Sequence, residues 1–375
     1  MKKIGTMTFH HSYNYGSVLQ AYALQNKLIE MYPDSRIEII DYYPPNIREI
    51  QSLFVKNHSI RNVLRNIIAL KYYPLVTKRK DSFEEFLKKD IRISDKKYYE
   101  GNIAEMGDEY DILIAGSDQI WNTNTKDFSV DYFFYGVKKP VKIAYAPSVG
   151  NGTFMLPRDQ KVQDALSDFQ AVSVREYSGA EKIEKFMGMK KVPVLIDPSL
   201  LLKKEQYEKI CAKRKIDEEY IFFYSITMQP EVLHCAKEIA KKLKLKLITM
   251  YSGVGTLRAF RNGVSVASEV APGDFLSYIK NASLVLTDSF HGTAFSVIYN
   301  KEFYSFCSED LDKRDVRINT LLSALGLENR IVNTTNGPDI ITRDGLNYCQ
   351  SNMKLEKMIK EAEAYLRNNI DQKEV

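Results

Sequence analysis

Apolar residues in this chain fall into short runs that alternate with stripes of helical spacing, and the alternation repeats from end to end. Residues 3–8 (KIGTMT) predict a strand, and 18–28 a helix with Val18, Ala21, Leu24 and Leu28 on one face. Residues 36–43 predict the next strand, stopped by Pro44 and Pro45. Strand, helix and strand in that order form a βαβ unit. Further strands are predicted at 110–116, 141–148 and 171–175, with a helix over 159–169. A charged stretch at 203–219 is expected to be helical, and the pattern then restarts. It gives a strand at 220–226, a helix at 231–243, a strand at 245–251, a loop at 252–263, a short helix at 275–279 and a buried strand at 284–286. In the helix at 231–243, Val232, Cys235, Ala236, Ile239, Ala240 and Leu243 share one stripe. Leu355, Met358, Ile359, Ala362 and Leu366 mark an amphipathic helix near the C-terminus.

This order predicts an α/β protein of two doubly wound, Rossmann-like domains facing a cleft. A chain of 375 residues exceeds what one core usually holds, which agrees with two domains. The expected division is 1–202 for an N-terminal domain on the acceptor side and 203–345 for a C-terminal domain on the donor side. Residues 346–375 are expected to form a helix packing back on the first domain.

Charge changes the picture locally. The net charge is +5, but residues 56–97 hold twelve Lys and Arg against five Asp and Glu, so the basic character is regional. The plain expectation is a helical excursion with its charged side in water. A sharper one is peripheral contact with an anionic membrane surface through this segment, including Lys78, Arg79 and Lys80. No basic module of a nucleic-acid binder is recognisable, so a nucleic-acid partner is not expected. Cys211, Cys235, Cys307 and Cys349 lie far apart without a CxxC, which argues against zinc, an iron–sulfur cluster or a disulfide framework. No apolar window has the length of a membrane span and the N-terminus lacks a signal-peptide core, so a reducing cytoplasm is expected.

Candidate chemistry gathers where strands end. Residues 283–293 run from an apolar strand into Asp288, Ser289, His291, Gly292 and Thr293, with helical spacing resuming at Ala294, Val297 and Ile298. A helix N-terminus beside a histidine is an anion site next to a titratable group. The alternative is that Asp288 or Ser289 only caps the helix and His291 only packs. After the first strand comes HHSYNYGS, where Gly16 permits a close approach and Asn14 and Ser17 can cap. The strand at 110–116 runs into Ser117, Asp118 and Gln119, and that at 171–175 ends in Arg175-Glu176. Asp118 could instead cap a turn, Trp121 could be core or a sugar platform, and Glu176 is expected to orient Arg175 or cap the next helix. No GxGxxG with its acidic partner, GxxxxGK[ST], HExxH or GxSxG is present, which disfavours dinucleotide and P-loop NTP binding.

Seven segments in order, NYGSVLQAYAL, AGSDQIWN, AYAPSVG, SVREYSG, VLIDPSLLL, TDSFHGTAFSVIYNKEF and RINTLLSALGLENRIV, resemble the polysaccharide pyruvyl transferase family over residues 14–332. The resemblance implies a glycosyltransferase-B-like fold. It also implies transfer of an enolpyruvyl-derived group from phosphoenolpyruvate to a saccharide, lipid-linked or polymer-bound, in the cytoplasm or at the inner membrane face. Phosphoenolpyruvate would be a co-substrate, with no metal or other cofactor. On this basis His291 is the expected acid/base or phosphate contact, and Arg175 holds the donor carboxylate or phosphate. Ser289 and Gly292 contact phosphate, and Asn14, Tyr15, Gly16, Ser117, Asp118 and Gln119 meet the acceptor. The family motif often reads Arg-Leu-His where this chain has Ser289-Phe290-His291, so the missing charge is expected from Arg258, Arg261 or, preferably, Arg317. Two alternatives from other classes remain: a nucleotide-sugar glycosyltransferase and a non-catalytic saccharide-binding relative.

Overall fold

A computed structural model describes residues 1–45, 59, 63, 66, 70, 73–188, 191–251, 256–307, 315–334, 339, 341 and 345–371. Among them are two parallel six-stranded sheets. The first comprises β1 (Lys3–Met7), β2 (Arg36–Tyr42), β3 (Ile93–Tyr98), β4 (Ile112–Ala115), β5 (Val141–Ala144) and β6 (Ala171–Val172), in the order β3-β2-β1-β4-β5-β6. The second comprises β7 (Tyr220–Tyr224), β8 (Lys246–Thr249), β9 (Ser265–Val266), β10 (Leu284–Thr287), β11 (Phe303–Phe306) and β12 (Ile331–Val332), in the order β12-β11-β10-β7-β8-β9. The central strands β4, β7 and β10 are buried along their whole length, as continuous apolar runs covered on both faces must be.

Helix α1 (Tyr15–Met31) follows β1 and is capped by Asn14, whose side chain accepts from the N–H groups of Gly16 and Ser17. It is buried on nearly all sides, because it is lodged between the two domains. One apolar cluster runs from Ile4, Ile37 and Ile114 of the first sheet through Tyr15 and Tyr22 to Phe275, Phe295 and Val285 of the second. Separate clusters cover the outer faces, one around Leu113, Trp121 and Phe133 and the other around Ile221, Phe223 and Ile239. The halves therefore share a core. At about 1.5–3 kcal/mol for each large apolar side chain buried, that shared core holds the cleft closed around what lines it.

The segment at 56–97 departs from expectation within its described part. Helix α2 (Tyr73–Asp90) buries Phe83, Phe86 and Leu87, and β3 adds an edge strand where a helical excursion was expected. The amphipathic face of α2 is turned inward. Arg79 donates to the Tyr13 carbonyl and lies over the rings of Tyr15, Phe83 and Tyr251, while Lys78 donates to the Ser268 carbonyl across the domain boundary. Lys80 pairs with Glu84 one turn on. Within α2 the side chains of Phe83 and Phe86 are thus spent on the domain junction, while the expected helical excursion at 56–72 lies, apart from residues 59, 63, 66 and 70, outside the described residues. No described helix is long and apolar enough to cross a membrane.

Two other expectations need correction. Of the stretch at 203–219 only Lys204–Tyr207 is helical, because its charges carry no apolar stripe that a longer helix could bury. Residues 256–261, expected as loop, form the helix Thr256–Arg261. Further helices, α3 (Tyr177–Met187), α4 (Pro230–Leu243), α5 (Pro272–Asn281), α6 (Phe290–Ile298), α7 (Val316–Leu325) and α8 (Cys349–Ile370), complete the layers. Helix α8 reaches the first domain through Tyr365, which donates to the Ala144 carbonyl at 2.9 Å, and through Glu363, which pairs with Lys27 at 2.9 Å.

Candidate active site

In each sheet the strand order reverses at one place, between β1 and β4 in the first and between β10 and β7 in the second. Loops leaving the C-terminal ends of parallel strands diverge there and leave a crevice. The residues after β1, β4 and β10 are Asn14 to Ser17, Ser117 to Gln119 and Ser289 to His291, and the two crevices face one another. Left-handed backbone marks these strand ends at Tyr13 (φ 46°), Asp118 (φ 69°), Ala146 (φ 49°) and Met228 (φ 46°). Non-glycine residues take up that conformation at a cost of about 1–3 kcal/mol each, a strain that collects at functional sites.

The hub is Asp197, in the IDPS turn that leads out of the first domain. It is fully buried and accepts from the Arg175 guanidinium (Nη1, 2.5 Å), the Ser117 hydroxyl (3.0 Å), and the backbone N–H (2.9 Å) and hydroxyl (2.7 Å) of Ser199. Nε2 of His291 stands 3.7 Å from Oδ1, the oxygen that accepts from Ser199, too far for a hydrogen bond. Burial alone would push the Asp197 carboxyl up. The facing His291, the Arg175 guanidinium and the Ser199 hydroxyl outweigh burial, and the group lies well below the usual carboxylate range. Asp197 is therefore an anion in the folded protein.

What that anion leaves over is chemically informative. Arg175 is 3% exposed, yet its Nε and Nη2 have no hydrogen-bond partner, with Asp118 at 4.0 Å from Nη2. Nε2 of His291, the Ser148 hydroxyl and Oε2 of Glu176 are likewise buried and unpartnered. An orphaned buried donor costs about 1–3 kcal/mol, more when charged, so several at the mouth of one crevice mark a place built for a ligand. The guanidinium carbon of Arg175 lies 4.5 Å from the centroid of Phe290, and that of Arg317 lies 5.9 Å from it. Two cations thus flank one aromatic ring. Arg317 is held bidentate by Asp315, which outweighs the effect of burial and raises its pKa further.

His291 is placed by a contact across the domains. It sits in the first turn of α6, and a Cβ on Gly16 would fall 2.0 Å from its Nδ1, so only glycine admits the imidazole there. Gly16 therefore seats the histidine. Tyr15, also expected at the acceptor, is fully buried, stacks on Phe275 at 5.2 Å, and donates to the carbonyls of Tyr251 and Val270. Its ring pins α1 to the second domain.

Several other polar groups serve the fold. Ser289 caps α6 by accepting from the Gly292 N–H at 3.4 Å, and Gly292 lies so close to β10 that a Cβ would meet the Thr287 hydroxyl at 2.3 Å. Asp288 turns away and accepts from Ser225, Ile226 and Thr227. Asn14 is the cap of α1, while Ser17 donates to Asp118 instead of capping. Asp118 also accepts from the Gln119 N–H, and the Gln119 carbonyl oxygen of the side chain accepts from Asn122. Trp121 is core, stacked on Phe133 at 4.7 Å. Glu176 neither orients Arg175 nor caps α3; it accepts from the N–H groups of Val149 and Gly150. Arg258 is exposed and donates to the Met228 carbonyl, and Arg261 is exposed, so the structure does not bring either beside Asp197. The structure adds Asp197, Phe290 and Asp315, none of them singled out from sequence.

Comparison with known proteins agrees with this architecture. Two solved structures share the fold over nearly the whole of both chains. One is described as a UDP-N-acetylglucosamine 2-epimerase from Listeria monocytogenes (TM-score 0.51, 10% identity, covering 98% of this chain and 97% of that one). The other is the UDP-GlcNAc 2-epimerase from Methanocaldococcus jannaschii (TM-score 0.50, 11% identity, covering 99% and 100%). At such identities they show the fold alone, two Rossmann-like domains in a glycosyltransferase-B-like arrangement. No curated protein matches the sequence significantly. The model of polysaccharide pyruvyl transferases matches residues 14–308, which run from the N-cap of α1 through β2–β6 of the first sheet to β10, its histidine and β11, and the chain therefore belongs to the polysaccharide pyruvyl transferase family.

Proposed function

We propose that this cleft transfers an enolpyruvyl-derived group from phosphoenolpyruvate to a saccharide and forms a pyruvate ketal. The observation that carries this reading is the buried Arg175 with two unpartnered nitrogens beside the unpartnered Nε2 of His291. Phosphoenolpyruvate offers a carboxylate and a phosphate, and a guanidinium fork accepts either one bidentate. Arg175 takes one anionic group. Arg317, on the same aromatic ring, supplies the second positive charge in place of the arginine that Ser289 replaces.

The chemistry balances without a redox partner. The methylene carbon of the donor gains a proton and becomes methyl, the adjacent carbon accepts two sugar oxygens, its bond to the phosphate oxygen breaks, and the second hydroxyl proton leaves with phosphate. His291 can deliver the first proton or accept one from a hydroxyl. Arg175, Arg317 and the α6 N-terminus stabilise the charge that collects on the departing phosphate. Asp197, fixed as an anion, holds Arg175 in place. A phosphoenolpyruvate donor would put the reaction in the cytoplasm, where the four free cysteines stay reduced.

The test is incubation with labelled phosphoenolpyruvate and a panel of lipid-linked saccharides. Label appearing in the lipid fraction with stoichiometric phosphate release supports the reading. Release of neither, together with thermal stabilisation by a nucleotide sugar or by glycan alone, contradicts it in favour of a glycosyltransferase or a binding protein.

A further inference from the structure

A second cluster lies at the other side of the first sheet's switch point, where β1 and β2 end. His10, His11 and Asp41 bring one nitrogen or oxygen each to within 4.8 Å of one another. We propose that these three side chains form a binding site for a single divalent transition-metal ion of the zinc class. The inference does not depend on the identity of the donor in the cleft.

Hydrogen bonding orients the ligand atoms. Nδ1 of His10 lies 3.1 Å from the Thr8 carbonyl, which can only accept, so Nδ1 carries the proton. In the neutral ring Nε2 then presents a lone pair, and it faces Oδ1 of Asp41 at 3.5 Å. Two acceptors pointed at each other in a site where His10 is 1% exposed call for a positive charge between them. A ring nitrogen tied to a backbone carbonyl while its opposite nitrogen faces a carboxylate oxygen at 3.5 Å is the arrangement that metal-bound histidine takes up. Oδ1 of Asp41 also meets Nε2 of His11 at 2.6 Å.

The spacing suits a tetrahedral ion. Metal–ligand bonds of about 2.0–2.2 Å put ligand atoms roughly 3.4 Å apart, so the His10–Asp41 edge already fits, the His11–Asp41 edge needs to open by a fraction of an ångström, and the His10–His11 edge, within 4.8 Å, closes as the rings turn onto the ion. The rings are held for this by stacking, His11 on Tyr43 at 4.3 Å and on His10 at 3.9 Å. The Ser94 hydroxyl fixes the backbone of Asp41 at 2.9 Å. Three protein ligands leave one position open, and His11 and Asp41 line a groove of about 300 Å³ with Tyr13, Lys80, Glu84 and Lys88, so the ion is reachable from solvent.

The experiment is Co²⁺ titration of chelator-treated, untagged full-length protein, followed by visible absorption and calorimetry. One ion per chain is expected, with visible d–d bands and no intense thiolate charge-transfer band. Asp41→Asn and His11→Gln should each weaken binding at least about tenfold while leaving circular dichroism unchanged, and Cys349→Ser should change nothing. Absence of a d–d spectrum, a thiolate band in the unsubstituted protein, or undiminished binding in Asp41→Asn and His11→Gln would overturn the proposal. The spectrum of the unsubstituted protein decides even if a variant folds poorly.

Discussion

Two histidine–aspartate pairs lie at strand ends of this molecule and behave differently. Among the described residues His11 meets Asp41 at 2.6 Å and no arginine pairs with that carboxylate, whereas His291 stands 3.7 Å from Asp197, whose charge Arg175 already satisfies. An aspartate matched by a guanidinium does not need its histidine, and the imidazole nitrogen is left facing the cleft. An aspartate without one takes the histidine for itself and still has charge to spare. The chemistry of each pair is therefore set by the third partner.

The sharpest way to break this contrast is to remove the arginine. Arg175→Ala should make the His291–Asp197 pair behave like the His11–Asp41 pair: His291 closes onto Asp197, transfer falls by about 10²–10³-fold, and stability drops by up to about 3–5 kcal/mol from the uncompensated buried carboxylate. Rates of phosphate release and denaturant midpoints measure the two effects. His291→Gln, which keeps most of the packing against Gly16, is expected to cost about 10²–10⁴-fold in kcat with little change in melting temperature. Next comes Gly16→Ala, whose methyl would displace the imidazole and lower turnover by about 10²-fold. Tyr15→Phe strands two buried carbonyls and should lose about 1–3 kcal/mol of stability with an unchanged KM for the acceptor, an outcome an acceptor-binding tyrosine would not give. The smallest effect is expected for Arg258→Ala, within about twofold in donor affinity, because that side chain is exposed and bonded to Met228.

Acidification probes the same centre. The Asp197 pKa is depressed in the folded protein, so the stability it contributes is complete above the unfolded carboxyl value, about 3.9, and is lost as pH falls through the lower folded value. Asp197→Asn should accordingly flatten the acid limb of a stability–pH curve.

Much of this was legible in the chain. The apolar runs of β1, β4, β7 and β10 were clear because central parallel strands are buried on both faces. Edge strand β3 was not, since ISDKKY is broken by charges that suit a half-exposed edge. Arg175 and His291 stood out by following predicted strands. Asp197 did not, because its chemistry arises from Arg175, Ser117 and His291 at 22, 80 and 94 residues' remove, brought together only by the packing of two sheets. Tyr15 and Gly16 were assigned to a ligand because a strand-end loop usually offers its side chains to the cleft. Here the loop opens directly into a helix buried between domains, and those positions are consumed by the junction. His10, His11 and Asp41 escaped notice for the reason Asp197 did, their meeting being a product of β1 and β2 lying side by side.

The central claim is that Arg175 and His291 form a site for phosphoenolpyruvate, and its most direct test is donor binding followed by thermal unfolding. Saturating phosphoenolpyruvate should raise the melting temperature of the unsubstituted protein, with about 2.7 kcal/mol of stabilisation at a hundredfold excess over Kd, and should leave a folded Arg175→Lys variant almost unmoved. Stabilisation by a UDP-sugar and none by phosphoenolpyruvate would contradict the account.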